Sequence, residues 1–188
     1  MRRKNAQAFL IIPARKAVGL TSVALGLVRT LQRLGIEAGF VKPIAEETPD
    51  RSGYFARQIF QMQVPEALLL QATAERIAAN QTSELLEEIV GLCMKAGEAA
   101  DVLIIEGLHA DESHSFISQI NVDIARSLNA EVIVVADASL ESAFADLRLA
   151  IGQFLNSGCK VAGVVFNKAA EDFDGADAQR RLGRTRLW

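Results

Sequence analysis

Residues 13–22 read Pro-Ala-Arg-Lys-Ala-Val-Gly-Leu-Thr-Ser and lie between an apolar run and a segment of helical period. A phosphate-binding loop has the same placement and the pattern Gly-x-x-x-x-Gly-Lys-Ser/Thr. Its backbone N–H groups cradle phosphates, its lysine neutralises them and its hydroxyl ligates magnesium. Gly19 and Thr21 stand at their places in that pattern, whereas Ala14 and Leu20 replace the first glycine and the lysine. An ammonium about 3 Å from a phosphate oxygen contributes on the order of several kcal/mol even when screened, and an isobutyl group contributes no charge. Ala14, Arg15, Lys16 and Ala17 also each carry a Cβ where glycine lets the backbone approach the phosphates. The cations left in the loop are Arg15 and Lys16. Leu20 has a second reading as a packing residue at a helix start, and the two agree, because a side chain turned into a core cannot reach a phosphate.

Polar residues follow the other apolar runs as well: Lys42-Pro43, Glu106-Gly107, Ala136-Asp137 and Asn167-Lys168. If the runs are parallel strands, these groups converge on the edge where open α/β sheets place their ligands. Lys42, fixed by the following proline, could neutralise a phosphate or carboxylate, or be a solvated surface lysine. Glu106 could hold a magnesium-bound water or cap a helix. Thr21 could ligate magnesium or bond free amides in the first helical turn. His109 and His114 flank Asp111 and Glu112 without metal-site spacing, and the stretch reads as an exposed loop without a ligand. No Ser/His/Asp or Cys/His arrangement proposes a nucleophile.

The elements that must carry these residues are legible from periodicity. The runs 8–12, 38–41, 102–105, 132–135 and 161–166 are near-continuous and rich in β-branched residues, as suits strands buried on both faces of a parallel sheet. Between the first two, Leu20, Val23, Ala24, Leu27, Val28, Leu31 and Leu34 recur at helical spacing, and Gly35 follows as a left-handed C-cap. Further helices are expected over 84–96, along the stripe Ile117, Ile120, Ile124 and Leu128, and from Leu140 to Phe154 behind Ser139. Residues 43–80 predict two short helices, 52–62 and 72–79, in an excursion long enough to carry substrate contacts. The fold class is therefore α/β: one doubly wound, mainly parallel sheet of about five strands over residues 1–168. Residues 169–188, with Arg180, Arg181, Arg184, Arg186 and a terminal Trp188, read as a polar tail, disordered or cut short, or as a basic amphipathic helix.

Composition narrows the function classes. A chain of 188 residues, half of them hydrophobic, suits one buried core. A formal charge of −3 argues against a duplex nucleic-acid binder. Met1-Arg2-Arg3-Lys4 resembles a secretory n-region, but the apolar run 8–12 is too short for the rest of a signal, and no run approaches the ~20 apolar residues of a membrane span. A cytoplasmic protein is expected, with Cys93 and Cys159 as reduced thiols.

Several motifs in one order resemble a family. Leu10-Ile11-Ile12-Pro13, Val18-Gly19-Leu20-Thr21-Ser22, Phe40-Val41-Lys42-Pro43, Ile104-Ile105-Glu106-Gly107-Leu108, Ile124-Ala125-Arg126-Ser127-Leu128 and Val165-Phe166-Asn167-Lys168 resemble the N-terminal domain of long-type bacterial phosphate acetyltransferases, over roughly residues 8–168. That domain is similar in fold to dethiobiotin synthetase, a P-loop enzyme with Val-Gly-Lys-Thr in its loop; the long acetyltransferases show Val-Gly-Leu-Thr, as here. The chain departs from the family at Ala14-Arg15-Lys16, where small and hydroxyl residues are usual. Deviant loops of partitioning-type ATPases carry a signature lysine at the position of Arg15.

The resemblance implies a regulatory and assembly domain that has no catalytic residues or cofactor of its own. Its partners would be an acetyltransferase domain, further copies of itself and a small-molecule effector; neither nucleic acid nor membrane is expected. It implies a degenerate nucleotide or anion pocket of Arg15, Lys16, Gly19, Thr21, Lys42, Glu106 and Asn167, with magnesium-ATP bound weakly or not at all. The alternatives are a dethiobiotin synthetase-like ligase using Thr21 and Glu106 for magnesium, Lys42 for substrate and Asn167 for adenine, and a stand-alone sensor of the same fold.

Overall fold

The structure, a computed structural model, describes residues 6–111 and 113–182. The chain begins with β1 (Gln7–Pro13), α1 (Leu20–Arg33) and β2 (Ala38–Val41), then makes an excursion through β3 (Ile44–Ala45), α2 (Arg51–Phe60), β4 (Leu68–Leu69), α3 (Leu70–Ala78) and α4 (Thr82–Ala96). Regular alternation resumes with β5 (Val102–Glu106), α5 (Phe116–Ser127), β6 (Glu131–Asp137), α6 (Ala143–Asn156) and β7 (Val161–Asn167), and α7 (Gly175–Leu182) follows. The main sheet has the order β2-β5-β1-β6-β7, and every pairing in it is parallel. β3 and β4 form a separate parallel pair.

Alternation along the strands divides the core in two. Leu10, Ile12, Leu103, Ile105, Val132 and Val134 face α4, α5 and α6, whereas Ile11, Ile104, Phe40 and Val135 face α1 and Ala56 of α2. Strands with apolar residues on both sides cannot leave either face in water, which is why both carry helices. On α1, Ala24 and Val28 are enclosed, Leu20, Val23, Leu27 and Leu31 pack beside them, and Gly35, at φ +73°, ends the helix as expected.

The topology fixes where a ligand would lie. β1 leads across β5 to β2, while β5 leads across β1 to β6 on the other face. The connections therefore diverge between β1 and β5, and the crevice at their carboxyl ends is the switch point of the sheet. The 14–19 loop, Glu106 and Gly107 all sit there.

Three expectations are revised. α6 starts at Ala143 rather than Leu140, because the Asp137 carboxylate accepts hydrogen bonds from the Ser139 N–H and hydroxyl, at 3.0 and 2.6 Å, and holds that stretch in a turn. Within the expected polar tail, residues 175–182 form α7, which buries Ala178 and Leu182; Arg184, Arg186 and Trp188 lie outside the described residues. The 43–80 segment holds α2 and α3 close to the expected spans, but its two-residue strands were not legible.

Candidate functional site

Four elements bring five side chains together below the loop. Lys42 leaves the end of β2, Glu106 is the last residue of β5, Thr21 lies in the first turn of α1, and Asp50 and Ser52 open α2. The Glu106 carboxylate oxygen Oε1 accepts hydrogen bonds from Ser52 Oγ at 2.8 Å and Thr21 Oγ1 at 3.0 Å, and lies 3.4 Å from Lys42 Nζ. Lys42 Nζ is also 3.1 Å from Asp50 Oδ1, and the other Asp50 oxygen caps α2 by accepting the Gly53 N–H at 2.6 Å. Glu106 is 2% exposed and Asp50 8%, so each carboxylate depends on the ammonium between them.

Burial raises the Glu106 carboxyl above the ordinary carboxylate range, against the opposing pull of Lys42 and the two hydroxyls. Burial works against the Lys42 ammonium too, but Glu106 and Asp50 outweigh it and hold its pKa above the ordinary lysine value. Glu106 Oε2 is buried without a hydrogen-bonding partner among the described residues. The arrangement is a cation held between two carboxylates, with one acceptor left over.

A second cluster clamps the loop from β7. Asn167 Nδ2 donates to the Val18 carbonyl at 2.8 Å, and Lys168 Nζ donates to the Ala17 carbonyl at 2.9 Å while bonding Asp137 Oδ2 at 2.6 Å. Lys168 and Ser139 lower the Asp137 carboxyl to about 2. Gly19 takes φ +80°, and a Cβ there would lie 2.4 Å from Asn167 Nδ2, so both conformation and space call for glycine. Ala17 has φ +64°, a left-handed backbone in a residue with a Cβ.

The structure thus brings Thr21, Lys42 and Glu106 into one network and Gly19 and Asn167 into another. Arg15 turns away from the loop: Nη1 lies 3.0 Å from Ser142 Oγ and 3.8 Å from Asp146 Oδ2 at the start of α6. Lys16 is exposed, and Leu20 packs with the α1 core. His114 Nδ1 lies 3.0 Å from Asp111 Oδ1, burial lowers the His109 pKa, and Glu112 lies outside the described residues. Among the described residues no three His, Cys, Asp or Glu side chains are grouped to share a metal, and no helix is long and apolar enough to cross a membrane. Both cysteines are free thiols, and burial pushes Cys93 up to about 12.

Sequence reasoning missed Asp50 and Ser52 as members of the site. Thr48-Pro49-Asp50 before a helical run was an available N-cap signal, but nothing in it points toward Lys42. Asp137 and Lys168 were recognised as strand-end residues without a role. Their partnership depends on β6 and β7 being neighbours, with Asp137 opposite Asn167.

A five-stranded parallel sheet with a loop and helix start at its switch point is the P-loop nucleotide fold, and residues 7–187 belong to a family of AAA domains. Within that class the chain matches the N-terminal P-loop domain of the long-type phosphate acetyltransferases. It is 37% identical over 186 residues to the phosphate acetyltransferase of Pseudomonas putida, covering 94% of this chain and 27% of that protein. It is 36% identical over 181 residues to that of Pseudomonas aeruginosa, covering 91% and 26%. The chain therefore spans about a quarter of the length of these relatives.

Solved structures of similar fold include the signal recognition particle receptor FtsY of Elizabethkingia anophelis in complex with GDP. Its TM-score is 0.60 at 16% identity, covering 87% of this chain and 49% of that one. The kinase domain of the Escherichia coli tyrosine kinase ETK also scores 0.60, at 14% identity, covering 93% and 72%.

Proposed function

We propose that this chain is a non-catalytic regulatory and assembly domain of a cytoplasmic phosphate acetyltransferase. The transfer of acetyl between coenzyme A and phosphate would belong to a separate acetyltransferase domain, and the nucleotide fold would serve oligomer assembly and response to a small-molecule effector in acetate metabolism. The observation that carries this reading is the network of paired groups around Glu106 Oε1 and Lys42. The groups that would serve magnesium and phosphate in a working P-loop are committed to one another.

Magnesium would have to compete with the cation this donor set already holds. It requires oxygen ligands at about 2.0–2.1 Å, and Glu106 Oε1 already accepts hydrogen bonds from Thr21 Oγ1 and Ser52 Oγ. The Lys42 ammonium, 3.4 Å from that same oxygen, already supplies the cationic charge. No lysine stands at position 20, Arg15 is engaged with α6, and the first residues of the loop carry Cβ atoms.

Calorimetry with magnesium-ATP tests the reading. No heat is expected up to about millimolar nucleotide, with or without Leu20→Lys, because that change restores a charge but not the glycines. Low-micromolar affinity abolished by Thr21→Ala would overturn the proposal and favour a ligase like dethiobiotin synthetase. In parallel, the chain is expected to form no acetyl phosphate from acetyl coenzyme A and phosphate.

A further inference from the structure

Arg57 stands beside the Glu106 network without joining it. In the last turn of α2 it is half-buried, its Nη1 donates to the Val64 carbonyl at 3.0 Å, and among the described residues no carboxylate is paired with it. An arginine that gives up part of its hydration is ordinarily matched by a carboxylate or phosphate. Asp50, two turns earlier, is already engaged: one oxygen faces Lys42 Nζ at 3.1 Å and the other accepts the Gly53 N–H at 2.6 Å. The guanidinium rests against Gly53, where a Cβ would lie 3.4 Å from Nη2 and 3.6 Å from Nη1.

Arg57 and Lys42 line one cavity of about 420 Å³ between α2 and the segment 64–67. That volume falls in the range of small-ligand sites. The wall opposite α2 is formed by Val64, Pro65 and Ala67, with the exposed Glu66 among them. This wall is pinned at both ends, since Arg57 holds the Val64 carbonyl and the Leu68 N–H donates to the Pro43 carbonyl at 2.9 Å where β3 and β4 pair. The cavity belongs to the excursion between β2 and β5, and neither the 14–19 loop nor the clamp from β7 lines it.

We propose that this cavity is an effector site for a small monocarboxylate held by Arg57, the class of molecule left when an acyl phosphate passes its phosphoryl group to an acceptor. The inference rests on the effector reading above and gives that effector a place and a chemistry. Charge selects a monoanion. Lys42 is shared by Asp50 and Glu106, so the spare positive charge in the wall is that of Arg57, and a doubly charged phosphate would also meet Asp50 and Glu66. Geometry selects a carboxylate: with Nη1 on the Val64 carbonyl, the Nε–Nη2 edge keeps two parallel N–H groups, the fork that pairs with both carboxylate oxygens. The short carbon chain then lies against Val64, Pro65 and Ala67. Lys42 and Asp50 belong both to this cavity and to the Glu106 network, so an occupant adjoins the groups that tie α2 to the end of β5.

The test is a titration of this chain with butyrate, its uncharged isostere butyramide and inorganic phosphate, followed at the backbone amides by NMR. Butyrate is expected to shift the amides of Gly53, Val64 and Ala67 saturably at about millimolar concentration, and butyramide to bind about tenfold or more weakly. Arg57→Lys keeps a charge and a donor for Val64 but loses the fork, and should weaken butyrate about tenfold. Glu66→Gln changes an exposed residue, leaves the fold intact and should tighten butyrate about twofold. Equal shifts from butyramide, displacement of butyrate by an equal concentration of phosphate, or an affinity unchanged in Arg57→Lys would overturn the proposal. Butyrate shifts confined to other parts of the chain would overturn this site and leave the effector reading standing. No shift from butyrate or phosphate anywhere on the chain would overturn both.

Discussion

Replacing Lys42 with methionine keeps the length of the side chain and removes the charge that two buried carboxylates share. Glu106 and Asp50 lie 3.4 and 3.1 Å from the ammonium and are 2% and 8% exposed, so neither can turn to bulk water when it is lost. Removing one partner of a buried ion pair costs about 3–5 kcal/mol. The lower figure applies here, because Ser52 and Thr21 still donate to Glu106, and Gly53 to Asp50. For a chain of this size about 3 kcal/mol lowers the melting temperature by roughly 6–12 °C. The cost depends on pH with a definite sign. Burial already holds the folded Glu106 carboxyl above its ordinary value of 4.5, and losing Lys42 raises it further. A raised carboxyl binds its proton more tightly in the folded chain, so stability declines as pH climbs from the ordinary value through the raised one, by at most about 1.4 kcal/mol per pH unit. Thermal melts of Lys42→Met and wild type at pH 4.5 and 7.5 should therefore diverge, with the deficit largest at the higher pH. Lys42→Met/Glu106→Gln should melt well above Lys42→Met at pH 7.5. A deficit below about 0.5 kcal/mol at pH 7.5, or one equal at both pH values, would refute the claim that Lys42 neutralises Glu106.

The loop makes three further predictions. Ala17→Gly relieves a left-handed residue at φ +64° and should raise stability by about 0.5–1 kcal/mol, read as a melting temperature higher by roughly 1–4 °C. Gly19→Ala combines φ +80° with a Cβ 2.4 Å from Asn167 Nδ2 and should cost about 2 kcal/mol or more; adding Asn167→Ala should recover only the part due to the clash. The depressed Asp137 carboxyl favours the folded state above its ordinary value of 3.8, and this contribution is lost as pH falls toward about 2. Exchange of the loop amides near Val18 should accelerate over that interval, and Asp137→Asn should remove the dependence.

The sheet was readable because strands buried on both faces must be apolar throughout, and 38–41 was bounded without error. α1 was readable because one stripe faces one core and Gly35 ends it. The start of α6 was not, since Leu140 continues the apolar spacing and only the tertiary position of Asp137 fixes the turn before it. In the tail a helix stood only as the alternative to a disordered or cut-short segment, because just Ala178 and Leu182 are buried along the eight residues of α7, too few to set a period. In the site, Thr21 follows from the loop pattern and Lys42 and Glu106 from strand ends, and parallel topology then brings them together. Ser52 and Asp50 carry no such mark. Their place depends on a two-residue pairing, Ile44 and Ala45 with Leu68 and Leu69, that brings α2 back over the end of β2.

Leu20 and Lys42 are linked by what remains when a loop lysine is absent. A carboxylate at the end of β5 is still buried at the switch point and still needs positive charge; with Leu20 turned into the α1 core, the nearest cation is the ammonium at the end of β2. Taking Lys42 as that cation recruits Asp50, and Asp50 fixes the first turn of α2, which delivers the Ser52 hydroxyl back to Glu106. The five groups of the network come from four elements, so its free energy holds α1, α2, β2 and β5 together. On the proposed reading, the site gains stability from groups that a nucleotide-binding site keeps available for substrate. The Lys42→Met deficit and a silent magnesium-ATP titration are therefore two measurements of the same commitment.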